Sequence, residues 1–161
     1  MIIRPARIEE VGELSDLCLR SKAHWPYDAE FIEACRDELT ITEHDLVQHT
    51  VRVAEDVGVP IGVIRLDRTD DGFDLEMLFV EPNCVGKGVG RQLLDWGIDH
   101  ARAFGAKRMT TVADPHAEPF YAHMGFKKTG VVPSDSIPGP NIALHGLDAL
   151  AQPSGPNPAC I

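Results

Sequence analysis

Phe73-Asp74-Leu75-Glu76-Met77-Leu78-Phe79-Val80 reads as a hydrophobic strand, and Glu81-Pro82-Asn83-Cys84-Val85-Gly86-Lys87-Gly88-Val89-Gly90-Arg91 follows it directly. An amphipathic helix then runs on from Gly88 to about Phe104, with Val89, Leu93, Gly97, Ala101 and Phe104 on one stripe and Gly105 as its stop. Glycines at 86, 88 and 90 leave successive backbone N–H groups unshielded just where that helix begins. A helix start has orphan N–H donors and a partial positive charge, so this turn suits a phosphate or diphosphate. Lys87 and Arg91 add full positive charges at the same place. A small anionic ligand is the expectation, although a glycine-rich turn can also serve only tight strand–helix packing.

The surroundings limit what else the chain does. Its 161 residues carry 25 acidic and 15 basic side chains, a formal net charge of -10. That balance argues against general nucleic-acid or membrane-surface binding, because both need a basic field. No stretch approaches the roughly 20 consecutive apolar residues of a membrane span. The acidic start (Glu9, Glu10, Glu13, Asp16) does not suit a signal peptide. The four cysteines show no metal-like spacing, so reduced thiols and a cytoplasmic setting are expected. The seven histidines form no HxH or HxxxH pair, and no metal site is expected.

Outward from the quoted stretch, the chain alternates periodicities. Met1 to Arg4 is a short strand closed by Pro5. Ile8, Val11, Leu14, Leu17 and Cys18 predict a helix from Ile8 to Lys22. Asp28 caps a second helix carrying Phe31, Ile32, Cys35 and Leu39, and Thr42 to His49 adds a further turn or two. Thr50–Glu55, Ile61–Leu66 and Phe73–Val80, separated by turns, predict an antiparallel meander. Arg108 to Ala113 follows the long helix and should run parallel to Phe73–Val80 by a right-handed crossover. A short helix over Ala117–Met124 and two closing strands, Phe126–Val132 and Ile142–Leu147, complete one domain over residues 1–150. The turn-rich loop Pro133–Pro140 joins those strands, and residues 151–161 read as a loose tail.

Neither familiar nucleotide loop fits the glycines. A P-loop needs Ser or Thr after Gly-Lys, and Gly88 stands there. A dinucleotide fingerprint needs G-x-G-x-x-G opening a parallel βαβ unit, whereas this is G-x-G-x-G after a meander. A second constellation, Asp114-Pro115-His116-Ala117-Glu118-Pro119-Phe120-Tyr121-Ala122-His123-Met124-Gly125-Phe126, reads alone as strand end, helix, glycine stop and strand. Tyr121 is then simply an amphipathic core tyrosine.

Taken together, the two segments resemble the GNAT superfamily of acyl-CoA-dependent N-acetyltransferases. Val80-Glu81-Pro82 and Val85-Gly86-Lys87-Gly88-Val89-Gly90 match its strand, V-x-P and (Q/R)-x-x-G-x-(G/A) pattern. Asp114 to Phe126 match its N-x-x-A-x-x-F-Y-x-x-x-G-F pattern. Ser21 to Tyr27 are similar to the S-x-x-x-W-x-Y segment of a bacterial subgroup. The resemblance implies an α/β (α+β) fold: a mixed, largely antiparallel sheet of six to seven strands with helices on both faces. It implies acetyl-CoA as co-substrate, with the backbones of Leu78, Phe79 and Val80 along the pantetheine arm. Val85 to Arg91 would cradle the diphosphate, and Tyr121 would protonate the departing thiolate. It leaves room for a homodimer.

Two positions depart from the pattern. Val85 replaces a usual Gln or Arg, which removes a side-chain contact but not the backbone donors. Asp114 replaces a usual Asn; a carboxylate cannot donate to a pantetheine carbonyl, and Asp114 is alternatively the cap of the short helix, with Pro115 at its first position. For a general base, Asp74 and Glu76 sit two apart and hence on one strand face, with Glu76 nearer the expected cleft; both could equally be solvated. Trp25 and Tyr27 either line an acceptor pocket or anchor their loop. His116 and His123 read as surface residues of the short helix. The expected activity is acetyl transfer directly to a primary amine of a small molecule or peptide, and the rival is a non-catalytic acyl-CoA sensor.

Overall fold

A computed structural model of the chain describes residues 1–133, 142–148 and 150. Most of the Pro133–Pro140 loop and the whole 151–161 tail lie outside the described residues. Seven strands form one sheet in the order β1-β2-β3-β4-β5-β7-β6: β1 Ile2–Pro5, β2 Thr50–Asp56, β3 Val59–Arg68, β4 Gly72–Val80, β5 Arg108–Ala113, β6 Lys127–Val132 and β7 Ile142–Asp148. Every pairing is antiparallel except β4 with β5, which are parallel across the helical crossover. This is the predicted meander and crossover.

Helices cover both faces. The predicted first helix begins as a 3-10 turn, Ile8–Glu10, and becomes α1 at Val11–Ala23. Leu14, Leu17 and Cys18 are fully buried against Val51, Val53, Val63 and Met77 on one sheet face. On the other face lies α4, Val89–Ala103, which buries Leu93, Leu94 and Ala101 against Ile64, Leu66 and Leu75. Each fully buried leucine contributes about 1.5–3 kcal/mol by leaving water. The predicted stripe errs at its end: Phe104 is 54% exposed, because it caps the helix. The N–H groups of Gly105 and Ala106 bond back to the carbonyls of Arg102 and Ala101, closing the helix.

Two shorter helices, α2 Ala29–Ala34 and α3 Glu43–Gln48, lie between α1 and β2. Asp28 caps α2 by accepting from the Phe31 N–H, as predicted, and Thr42 caps α3 through a reciprocal bond with Asp45. The last helix, α5, spans Glu118–His123, with Ala117 as its N-cap residue and Pro119 in its first turn. Asp114 therefore does not cap α5. The intervening turn uses its backbone carbonyl instead, which accepts from the N–H groups of Ala117 and Glu118.

Two local features shape the middle of the sheet. Gly72 touches β5 so closely that a Cβ there would lie 1.8 Å from the Arg108 carbonyl oxygen, so only glycine permits this approach. On β3, Arg65 pairs with Met77 and Leu66 with Leu75, leaving Glu76 unpaired as a β-bulge. The bulge reverses the strand's facing: Phe73 and Leu75 pack on the α4 side, whereas Met77 and Phe79 pack on the α1 side. The alternation is interrupted at Glu76, yet Asp74 and Glu76 stay on the side of Asp67 and Arg65, so the sequence argument's conclusion holds although spacing by two is not its whole reason.

Candidate functional site

β4 and β5 pair only from Gly72–Asp74 to Arg108–Thr110 and then part. Thr111 Oγ1 donates to the Leu75 carbonyl at 2.9 Å, just beyond the last pair. From Glu76 to Val80, β4 has no strand beside it on the β5 side among the described residues, so a length of strand edge opens into a cleft. The cleft encloses about 930 Å³ and is walled by β4, by the 84–91 turn, by α5 and by the end of α1.

At one end lies the glycine turn. Gly86 and Gly88 have φ of 79° and 83°, the left-handed region that other residues rarely occupy, and a Cβ on either would meet open space rather than protein. No side chain caps α4. The first amide to reach a carbonyl of this helix is that of Gln92, which bonds to Gly88, so the N–H groups of the preceding turn stand without intrahelical partners. Such a set of amides, backed by the helix dipole, fits an anionic group, and the diphosphate of a CoA thioester has that chemistry. Arg91 lines the cleft and pairs loosely with Asp95 at 3.6 Å. Lys87 lies outside the lining, and Val89 turns its side chain into the core, leaving only its amide for this role.

At the other end lie the protonatable groups. Tyr121, on α5, is 7% exposed and faces the cleft. Burial pushes its phenol up to about 12; Thr111 pulls the other way and the Asp114 carboxylate adds to the rise. The phenol is thus protonated at neutral pH and able to donate. Asp74 and Glu76 both line the same cleft despite the bulge. Asp74 accepts a hydrogen bond from the Thr110 hydroxyl, whereas Glu76 meets no such partner among the described residues. Desolvation, then the charges of Asp67 and Asp74, raise the Glu76 carboxyl above its usual range, with Arg65 opposing them. A raised carboxyl on a cleft wall has the chemistry of a base for an ammonium ion.

The third wall was only partly legible. Asp114 Oδ2 accepts from Lys22 Nζ at 2.5 Å and from the Tyr27 hydroxyl at 2.8 Å, while Oδ1 accepts from the His116 N–H at 2.9 Å. Burial pushes this carboxyl up, but Lys22, the His116 amide and Tyr27 together hold it below the usual aspartate value. Trp25 lines the cleft and stacks flat on His116, ring centroids 5.0 Å apart. Tyr27 does not reach the lining; its ring lies under the Lys22 ammonium and its hydroxyl is spent on Asp114. His116 is exposed as expected, yet it belongs to this stack rather than to α5. Sequence reasoning missed Lys22 and Ser21, whose Oγ accepts from the Val80 N–H at 3.3 Å. Ser21 opens the S-x-x-x-W-x-Y segment and Lys22 is one of its unspecified positions, but only the packing of α1 beside β4 reveals what they touch.

A family model described as acetyltransferase (GNAT) domain matches residues 14–135, which include β4, the glycine turn and α5. The chain belongs to the GNAT acetyltransferase family. No curated protein matches it. Among solved structures, this GNAT acetyltransferase is similar to a GCN5-related N-acetyltransferase from Rhodopseudomonas palustris, with 26% identity over 91% of this chain and 94% of that one and a TM-score of 0.77. PaiA N-acetyltransferase from Thermoplasma acidophilum, solved in complex with coenzyme A, shares 20% identity over 91% and 98% of the chains, with a TM-score of 0.78. YncA from Salmonella typhimurium, a putative acetyltransferase solved with acetyl-CoA, shares 21% identity over 99% of each chain, with a TM-score of 0.67. At these identities the last two likenesses concern the fold. Among the described residues, no helix is long and apolar enough to cross a membrane.

Proposed function

We propose that this GNAT acetyltransferase moves an acetyl group from acetyl-CoA directly to a primary amine. The observation that carries the reading is the cleft between the parting strands, with unpaired helix-start amides at one end and Tyr121 at the other. Bound there, acetyl-CoA supplies an activated acyl group and a thiolate leaving group. The backbone of Leu78 to Val80 lies along the route between the two ends, as an edge against which an amide-bearing arm can pair. Gly86, Gly88, Gly90 and the amides up to Arg91 hold the anionic end, and Arg91 adds a screening cation.

Glu76 takes a proton from the incoming ammonium, directly or through one water, so that the nitrogen lone pair is available. Tyr121 holds its proton in the ground state and donates to the sulfur as negative charge develops. A phenol near 12 is a weaker acid than a thiol near 8.5, so its main contribution is a hydrogen bond that strengthens in the transition state. Positioning supplies the remainder. Trp25 borders the space left for the acceptor, an amine of a small molecule or peptide. Asp114 is spent on Lys22 and Tyr27 and acts on the wall rather than on the pantetheine arm.

Calorimetry with acetyl-CoA, beside a thiol-release assay over a panel of primary amines, tests this reading. Micromolar binding with amine-dependent release is expected. Binding without release across the panel favours the non-catalytic sensor, and no binding at millimolar acetyl-CoA removes both.

A further inference from the structure

His145 lies in the middle of β7, opposite Thr111 on β5 and Lys128 on β6. It is 4% exposed, and among the described residues neither ring nitrogen has a hydrogen-bond partner. Leaving a buried polar group unsatisfied costs about 1–3 kcal/mol, so an imidazole is an expensive choice here unless something uses it. Two groups of α5 lie over the ring. Its Nε2 stands 3.7 Å from Oε2 of Glu118, just beyond hydrogen-bond reach. Its ring lies 6.5 Å, centroid to centroid, from that of Tyr121. Glu118 and Tyr121 are three apart on one helix and so share a face, one turn above the other.

We infer that His145 is a positioning residue for Tyr121, acting through its contact with Glu118; the inference rests on Tyr121 being the acid. With only six residues, α5 cannot hold its own geometry in water, so its seat on the sheet is set by what it touches. The ring of Tyr121 against that of Phe126, outside the helix, bears on how deep it sits. That contact does not fix its rotation or its slide along β7. Backbone bonds tie the helix only at its ends, to the Asp114 carbonyl and the Phe126 amide; the pair His145–Glu118 is a side-chain polar contact between α5 and the sheet, and closing it by a few tenths of an ångström carries the Tyr121 hydroxyl relative to Thr111. The charged or titratable groups facing the imidazole are Glu118 and Tyr121 from α5, with Lys128 across on β6 and no ionisable group at Thr111 on β5.

The chain has only two tyrosines, so a direct readout exists that needs no acceptor. With tyrosine labelled at 13Cζ, the Tyr121 and Tyr27 signals are assigned through Tyr27→Phe. His145→Phe and Glu118→Ala should each displace the Tyr121 signal and leave that of Tyr27 in place, and His145→Gln, which retains an N–H donor, should restore most of it. With any amine accepted in the panel, His145→Phe should lower kcat roughly 10- to 100-fold, as a displaced catalytic group does, with little change in the KM for acetyl-CoA. In a Tyr121→Phe background the same substitution should have no further effect. A fall in kcat of equal size in both backgrounds overturns the inference, as does an unmoved Tyr121 signal in both single variants. If His145→Phe does not fold, Glu118→Ala, on the half-exposed side of the pair, decides alone. Should Tyr121→Phe itself leave kcat unchanged, the acid role falls, and the labelled signals still report whether His145 seats Tyr121.

Discussion

Lys22 Nζ stands 2.5 Å from Asp114 Oδ2, joining the last turn of α1 to the end of β5 across 92 positions of sequence. The same carboxylate accepts from Tyr27 and from the His116 amide, and His116 carries Trp25 on its ring. One carboxylate thereby fixes the wall opposite β4. An asparagine in its place could keep the bond to Tyr27 but not the ion pair, so this departure from the family pattern has a structural cause.

Asp114→Ala should lower stability by about 1–3 kcal/mol, because it strands a mostly buried ammonium and a phenol. The pH dependence follows from the depressed carboxyl. A group whose folded pKa lies below its unfolded value of about 3.9 contributes stability that is fully present above that value and lost as pH falls through the folded one. Thermal melts below about pH 4 should therefore show a loss that Asp114→Asn flattens. An unchanged acid limb in that variant would remove the ion pair from the account.

Glu76→Gln should act in two directions. The raised carboxyl binds its proton more tightly in the folded chain, so its ionisation disfavours folding as pH rises through the folded pKa. The neutral amide should thus melt higher than wild type at pH 8 and no higher at pH 4. In the same variant kcat should drop on the order of 100-fold, with the rising limb of the pH–rate profile lost. Retention of that limb would assign the base to another group.

Tyr121→Phe should lower kcat on the order of 100-fold, toward the low end of the usual acid contribution, and leave acetyl-CoA affinity within about twofold. Tyr121 lines the cleft from α5, whereas the helix-start amides proposed to hold the diphosphate belong to α4, so affinity should be set elsewhere. Stopped-assay kcat beside calorimetry separates the two quantities.

Gly88→Val should do the reverse. A β-branched residue at φ of 83° costs about 1–3 kcal/mol of strain, relieved by pulling the helix start out of shape. Acetyl-CoA should bind at least roughly tenfold more weakly, equivalent to about 1.4 kcal/mol. Equal affinity in the variant would show that these amides do not hold the diphosphate.

The cleft was readable where local chemistry dictates it. Gly86 and Gly88 need their positive φ whatever surrounds them, and the strand before them and the helix after them have clear periods. Tyr121 was legible because a compact motif carries it. Glu76 was named by even alternation with Asp74, and the two do share the cleft wall, although a bulge that the alternation did not contain lies between them. A bulge depends on how β3 registers against β4, and no residue of β4 announces it. For Tyr27 the sequence left pocket lining and loop anchoring both open, and its hydroxyl is turned to Asp114, a partner 87 positions away.

Alone, the order of residues determined the strand–turn–helix with its positive-φ glycines, the meander and crossover around it, and the short helix bearing Tyr121. These rest on backbone freedom, period and helix-start amides, all of which act over a few neighbouring positions. Tertiary structure alone decided that β4 and β5 part beyond Asp74, that Lys22 neutralises Asp114 and that His145 is sealed beneath α5. Each of those depends on a register or a contact between segments far apart in the chain, where desolvation and ion pairing are settled by packing and not by local pattern.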